Sequence, residues 1–368
     1  MLPKIKIRYW LLFAIIIIHP QKVESQVSPK VIGERFRAYK DSIQHIDYAY
    51  ILPIGGDKAR KAGIDLQKPA GIMLGFLGQQ QELTISNLEV GICYDCGMAE
   101  IDDFTEFEYI KTYNNVYTFR PDVWLFPFLN LYVQASKFYS RTRAKLSVPF
   151  EIVIPEVEKN GFGAGFGGVL AYGWGPIWAT SNFNMAWSKA QGIDRPTQSI
   201  VNSIRLGTSF HTSKRNRSGS VWIGANYQNY LGSNSGSYDL TQLLPDEKPR
   251  LEEIKQQLVE WQNTISDKYE DYCNKPINKP QCAIIDQMID EFKNRIDDKI
   301  SGISPPELII NYGYKVSPKN NWNMVVGAQA NISKTWQARF EGGFIGRKSF
   351  MFNLNYRLAF IRKRELEI

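Results

Sequence analysis

Beyond residue 18 the 368-residue chain has no apolar run near the length of about 20 residues that a membrane-crossing helix needs. Any bilayer crossing must be made by strands, because only helices and closed barrels satisfy every backbone polar group in hydrocarbon. Histidine is scarce, with three residues, and the four cysteines meet no second Cys/His pair at zinc-finger spacing. The Gly55-Gly56 pair with Lys58 lacks the spacing and the Ser/Thr of a phosphate loop, so no cofactor is expected. The acidic run Asp102, Asp103, Glu106 and Glu108 matches no calcium loop, and no metal is expected there. Strong charge is missing as well. The formal net charge of +7 falls to +4 once Lys4, Lys6, Arg8, Lys22 and Glu24 leave with a cleaved leader, too little to argue for nucleic acid.

The leader is the first feature that is present. Lys4, Lys6 and Arg8 precede the apolar run Trp10 to Ile18, and Val23-Glu24-Ser25 offers slim residues for cleavage, so residues 1–25 read as a secretory signal peptide. His19, Pro20, Gln21 and Lys22 end the run before it could span. Aromatic residues at 13% and 28 glycines sit beside a mean hydropathy of −0.30. That mixture suits strands whose lipid-facing aromatics alternate with polar inward residues.

Period-two alternation over segments of roughly ten residues runs through most of the chain. From Ser349 to Phe360, Phe352, Leu354, Tyr356, Leu358 and Phe360 share one face, and Asn353, Asn355, Arg357 and Ala359 the other. From 336 to 345, Trp336, Ala338, Phe340 and Phe344 oppose Gln337, Arg339 and Glu341. Before these, Met324, Val326, Ala328 and Ala330 oppose Asn323, Gln329 and Asn331, with hairpin-length connections between the three segments. Comparable segments occur at 307–316, 218–231, 199–212, 176–187, 163–173, 143–153, 129–140 and 115–126, with a weaker one at 70–81. The expected fold is an all-β transmembrane antiparallel β-barrel of about twelve strands, formed by 70–232 and 305–360, with an inserted α-helical hairpin. Residues 26–69 would be an N-terminal periplasmic segment and 361–368 a C-terminal tail. An even strand number leaves both termini in the periplasm.

Several stretches resemble a family of small, uncharacterised outer-membrane barrel proteins of Gram-negative bacteria. They are Asp122-Val-Trp-Leu-Phe-Pro-Phe-Leu-Asn-Leu-Tyr132, the glycine-rich run Gly161 to Gly173, Trp222-Ile-Gly-Ala-Asn-Tyr-Gln228, Trp322 to Gln329, and Glu341 to Lys348. The likeness covers most of residues 65–360 and implies a barrel in the cell outer membrane, with outer-membrane lipid and lipopolysaccharide as its surroundings. It implies no activity, and the helical insertion departs from it.

Within 248–302 the period changes. Leu251, Ile254, Leu258, Trp261 and Ile265 recur at three-four spacing, as do Ile285, Ile289, Phe292, Ile296 and Ile300 after Pro276 and Pro280. Two amphipathic helices facing each other make an antiparallel hairpin. Counting back from a last strand that ends in the periplasm places it on the periplasmic side, where it would meet a periplasmic protein or the cell wall. The alternative is a count off by one before 307. Four cysteines in an exported chain suggest two disulfides, and local pairs are expected: Cys93 with Cys96, and Cys273 with Cys282 across the hairpin tip.

Three functions fit. A channel would be lined by the inward residues Arg205, Asn226, Gln228, Gln329, Arg339, Glu341 and Arg357, unless Arg339, Glu341 and Arg357 bridge one another and fill the lumen. A lipid-acting hydrolase would use His211 and Ser213, two apart on one strand face so that the histidine activates the serine, although Lys214 follows where asparagine is usual in such enzymes. An anchored interaction protein would work through 26–69 or through the helical hairpin.

Overall fold

The computed structural model describes residues 44–45, 48–64, 66–92, 97–174, 177–191, 195–211, 217–276 and 278–360. The leader, Cys93, Cys96, Ser213 and the tail 361–368 lie outside them, as does the side chain of His211.

Thirteen strands run in the order β1 (Ala70–Gly91), β2 (Ala99–Glu100), β3 (Glu106–Phe126), β4 (Leu129–Val148), β5 (Ile152–Trp174), β6 (Ile177–Ala190) and β7 (Thr197–His211). They continue with β8 (Ser218–Leu231), β9 (Asn234–Asp239), β10 (Ile309–Pro318), β11 (Trp322–Asn331), β12 (Trp336–Ile345) and β13 (Lys348–Leu358). Helices α1 (Gly56–Lys61), α2 (Lys248–Cys273) and α3 (Lys279–Ile300) and the short 3-10 turns Asp102–Phe104 and Leu240–Leu243 accompany them. Ten strands form a closed antiparallel ring, β1-β3-β4-β5-β6-β7-β8-β11-β12-β13, shut by pairs running from Ala70–Leu358 to Gln80–Lys348. Closure leaves the ring without a free edge.

The ring has ten strands, not about twelve, and two segments account for the difference. Residues 143–153 are not a separate strand: β4 runs on to Val148 and β5 starts at Ile152, so the alternation crosses a short turn. Residues 307–316 do belong to a strand, β10, but it lies above the ring. It pairs with the upper half of β1, Leu83 to Gly91, and with β9. From the Tyr227–Trp322 pair to the Asn234–Tyr314 pair, seven residues on one arm face eight on the other. The β8–β9 and β10–β11 arms are therefore one long ladder with a one-residue irregularity near Gly232, whose φ is 106°. Beside its lower half the β12–β13 hairpin widens the ring. Beside its upper half β1 pairs with β10 directly.

With β10 out of the ring, the parity argument reverses. Ala70 and Leu358 mark one end, shared by the β3–β4, β5–β6, β7–β8 and β11–β12 turns, and α2–α3 leaves from the opposite end. Strands β1, β3, β4 and β5 have 20 to 23 residues, twice the 9–11 that cross a membrane. Their surplus forms an open sheet at that far end, and the helical hairpin packs on it. Leu251, Ile254 and Leu258 meet Ile285, Ile289, Phe292 and Ile296 in a core that also takes in Ala99, Phe104, Phe150 and Ile152. Phe150 stacks on Phe292 with centroids 5.5 Å apart, and Phe104 meets Tyr269 and Tyr272 edge-on. Leu146 shares its face of β4 with the inward Tyr132 and Ser136 and packs against this core, so the hairpin covers the inner side of the extension. Cys273 and Cys282 are disulfide-bonded at the hairpin tip.

The hairpin joins β9 through Asp239. Burial raises the Asp239 carboxyl, but hydrogen bonds from Thr241 Oγ1 and from the backbone N–H of Leu308 and Thr241 outweigh it and hold the group below its ordinary value. At the other end residues 48–64 and 66–69 fold into a small cap. Tyr48, Ala59, Ile64 and Leu66 share a core, and backbone bonds from Ile51 to Phe360 and from Ile54 to Leu125 tie the cap to β13 and β3. Outside the ring the apolar residues are bare. Ile204 is 61% exposed and Ile223 60%, and Leu74, Phe119, Val133 and Phe166 continue the band. Aromatic pairs bound it, the half-buried Tyr227 with the exposed Trp322 toward the far end and the exposed Trp336 and Tyr356 toward the termini.

Candidate functional site: the barrel lumen

Alternation that turns Ile204, Leu206 and Ile223 outward turns Ser203, Arg205 and Trp222 inward, and the inward set encloses a cavity of about 650 Å³. Its lining reaches from Ser333 and Lys334 near the termini to Ala190 and Thr197 at the far end. A volume within the usual range for one small-molecule pocket, spread along the ring, makes a narrow lumen.

Two rows across the wall build its charged clusters, each by alternating glycine with a large residue. In the first, neighbouring strands place Glu341, Gly327, Trp222, Gly207 and Trp178 side by side. A side chain at Gly327 would overlap the Trp222 indole, and one at Gly207 the Trp178 indole. The missing side chain on β11 lets Glu341 reach past it. Its carboxylate accepts from Arg205 Nε at 2.6 Å and Nη2 at 2.9 Å, and from Trp222 Nε1 at 2.9 Å. Arg339 lies 4.6 Å above the Trp222 ring, with Nη2 3.7 Å from Glu341 Oε2.

In the second row stand Arg357, Gly71, Asp122, Tyr132 and Gly167. The Arg357 guanidinium crosses Gly71, donates to Asp122 Oδ1 at 2.6 Å, and reaches the carbonyls of Lys68 and Pro69. Asn130 also donates to Asp122, at 2.8 Å. Tyr132 hydrogen-bonds Asn182 at 2.9 Å and carries Arg120 at 4.4 Å over its ring. A Cβ at Gly71 would overlap Arg357 and Asp122, whereas at Gly342, on the outer face of β12, the nearest atom is 4.0 Å away. Gly71→Val is therefore expected to cost about 1–3 kcal/mol by overpacking, measured by urea unfolding in micelles, and Gly342→Val much less.

All seven residues read as inward from the sequence line this cavity. They do not form one cluster. Arg339 and Glu341 meet Arg205, but Arg357 belongs to the other row and pairs with Asp122, so the expected Arg339–Glu341–Arg357 bridge is replaced by two separate sites. Gln228 bonds Tyr230 and Arg347, and Gln329 bonds Asn331. Asn226 Oδ1 has no protein partner among the described residues. The sequence reading did not place Arg120, Asp122, Tyr132, Trp178 and Trp222 in the lumen. For Asp122, Tyr132, Trp178 and Trp222 the signal is an inward glycine on the neighbouring strand; Arg120 faces Met73 and carries no such signal. His211 ends β7 with its backbone paired to Ser218, while Ser213 and the His211 side chain lie outside the described residues. The acidic run is used within the fold: Asp102 accepts the backbone N–H of Asn87 and Leu88, and Glu108 pairs with Lys145.

No family model and no curated protein matches the chain. Among solved structures it is similar to the β domain of the Bordetella autotransporter BrkA, at 8% identity and TM-score 0.33, over 80% of this chain and 100% of that one. An outer membrane channel from Pseudomonas putida F1 gives 11% and 0.25, over 79% and 96%. The Ralstonia pickettii toluene transporter TbuX gives 9% and 0.27, over 80% and 90%. Scores at this level assign neither a family nor an activity.

Proposed function

We propose that this protein is exported, spans the outer membrane of a Gram-negative bacterium as a ten-stranded barrel, and passes small polar solutes through its lumen. One observation carries the reading: an apolar band on the outside of a closed ring whose inside carries polar and charged side chains from one end to the other. In water such a band would be an aggregation surface far larger than monomers tolerate, and in a bilayer it is solvated. Lipid on the band and lipopolysaccharide in the outer leaflet are the partners this implies. With both termini in the periplasm, the usual arrangement of single-chain barrels, the α2–α3 hairpin faces the outside. The expected contact of 248–302 with a periplasmic protein or the cell wall then lapses, because it rested on a parity that the position of β10 reverses.

Planar-bilayer conductance of the refolded barrel tests the proposal. Steady, small single-channel steps are expected, and they should persist when 248–302 is replaced by a short loop, since no described hairpin residue lines the cavity. Silence from barrels shown to have inserted would reject solute passage and leave an anchored interaction protein as the reading.

A further inference from the structure

The lumen is electropositive. Among the described residues its lining holds eight lysines and arginines against two carboxylates, Asp122 and Glu341. Both carboxylates are already engaged. Glu341 takes both arms of Arg205 and the Trp222 N–H, and Asp122 takes Arg357 and Asn130. Arg205 and Arg357 are thereby neutralised, which leaves six: Lys68 bonds Thr335, Arg347 bonds Gln228, Arg60 rests on Tyr48 of the cap, Lys334 lies in the β11–β12 turn, and Arg120 and Arg339 stand on the wall between the two ends.

Neither has a carboxylate of its own. Arg120 makes no ion pair among the described residues, and Arg339 stands 3.7 Å from a Glu341 oxygen already taken, too far for a hydrogen bond. The Nε–H of each is buried without a protein acceptor. Each guanidinium rests on an aromatic ring, Arg120 on Tyr132 and Arg339 on Trp222, which fixes its plane and leaves its edge to the lumen. Register sets them one inward step apart: Arg339 faces Asn353, Asn353 faces Gly75, Gly75 faces Thr118, and Arg120 is the next inward residue of β3. Arg120 has no ion pair among the described residues and Arg339 only a share of Glu341, so a small anion in the lumen would supply the negative charge that both guanidiniums lack in full.

We infer that Arg120 and Arg339 form an oxyanion-binding site in the lumen, which takes a carboxylate or phosphate group of a small solute. The fork of a guanidinium matches either group through paired N–H donors. The inference rests on the lumen being accessible to solute and deepens the proposed function by naming the solute class. The bidentate salt bridge between Arg205 and Glu341 inside this lumen shows the same recognition with a protein carboxylate.

The test uses the full-length barrel in detergent, titrated with inorganic phosphate, with succinate and with glucose, and followed by tryptophan fluorescence and calorimetry. Phosphate or succinate should bind, the tighter of the two naming the group preferred, and glucose should not. Arg120→Gln and Arg339→Gln should each weaken binding about tenfold, the size of one charge-assisted hydrogen bond. Arg339→Lys, which keeps the charge but loses the fork, should restore only part of it. Equal anion binding by the wild type and the Gln variants, or none by the wild type, overturns the site. Should a variant fail to fold, the reversal potential of the wild type in a KCl gradient decides: anion preference supports the site and cation preference overturns it. Binding without conductance would retain the site and reject solute passage, and conductance without binding would do the reverse.

Discussion

Replacing Glu341 by alanine is expected to cost about 3–5 kcal/mol of barrel stability, the penalty for leaving a buried charge without its partner. The Glu341 side chain is 5% exposed and that of Arg205 8%, so neither guanidinium of the cluster regains full hydration when the carboxylate is lost. Arg205 forfeits two charge-assisted hydrogen bonds, Trp222 loses the acceptor of its indole N–H, and Arg339 then faces Arg205 across a gap with no negative charge. Urea unfolding of the refolded protein in micelles reads the effect. Glu158→Ala is the comparison, because its pair with Arg141 is 71% and 59% exposed and is expected to matter by less than about 1 kcal/mol. Removing Arg205 and Glu341 together, as Arg205→Met with Glu341→Met, should cost less than the single Glu341→Ala change. The double change leaves only Arg339 charged there, and two apolar side chains fill the space.

A lysine at Ile223 is expected to destabilise the membrane-inserted barrel by about 2–4 kcal/mol, the range for a basic residue on the lipid face near the bilayer midplane. Ile223 pairs with Leu206 in the middle of the outer band, where no protein group is placed to receive an ammonium. A lysine at Gln79, one of the cavity-lining positions, meets polar neighbours and should cost about 1 kcal/mol or less. Equal, small costs at both positions in a bilayer would mean that the band is not in contact with hydrocarbon.

The alternation that marks β11, β12 and β13 is legible because it is local: each residue's face follows from its neighbours two positions away. The same property misplaces β10. Residues 309–318 alternate as a wall strand does, and nothing within the segment says that its partner is the upper half of β1 instead of a strand of the ring. Strand ends are illegible for a related reason, since β4 and β5 keep alternating past the wall into the extension that carries the helices. The helical hairpin is readable from three-four spacing, but its side of the barrel is a count of everything between it and the closing strand, and a single misplaced strand inverts it.

Inward residues could be named one at a time, yet their partners could not. Arg357 and Asp122 are 235 residues apart because the ring closes β13 onto β1, and Glu341 and Arg205 136 because β9, the helical hairpin and β10 are inserted between the paired strands β8 and β11. Arg120 and Trp222 matter through what lies across the lumen from them, which only the register reveals. The glycines carry part of this in the sequence: Gly71 and Gly327 are small where their strand turns inward, and each marks the row through which a charged side chain passes.

Nitroxide scanning of β7 in lipid bilayers tests the central claim most directly, with spin labels placed singly from 199 to 204 and their collisions with oxygen and with a water-soluble nickel complex recorded. Positions 200, 202 and 204 should favour oxygen and 199, 201 and 203 the nickel complex, in strict antiphase, because one face meets lipid and the other a wet lumen. Oxygen and nickel accessibilities that rise and fall together, or show no period of two, would contradict a solute-bearing barrel in the membrane.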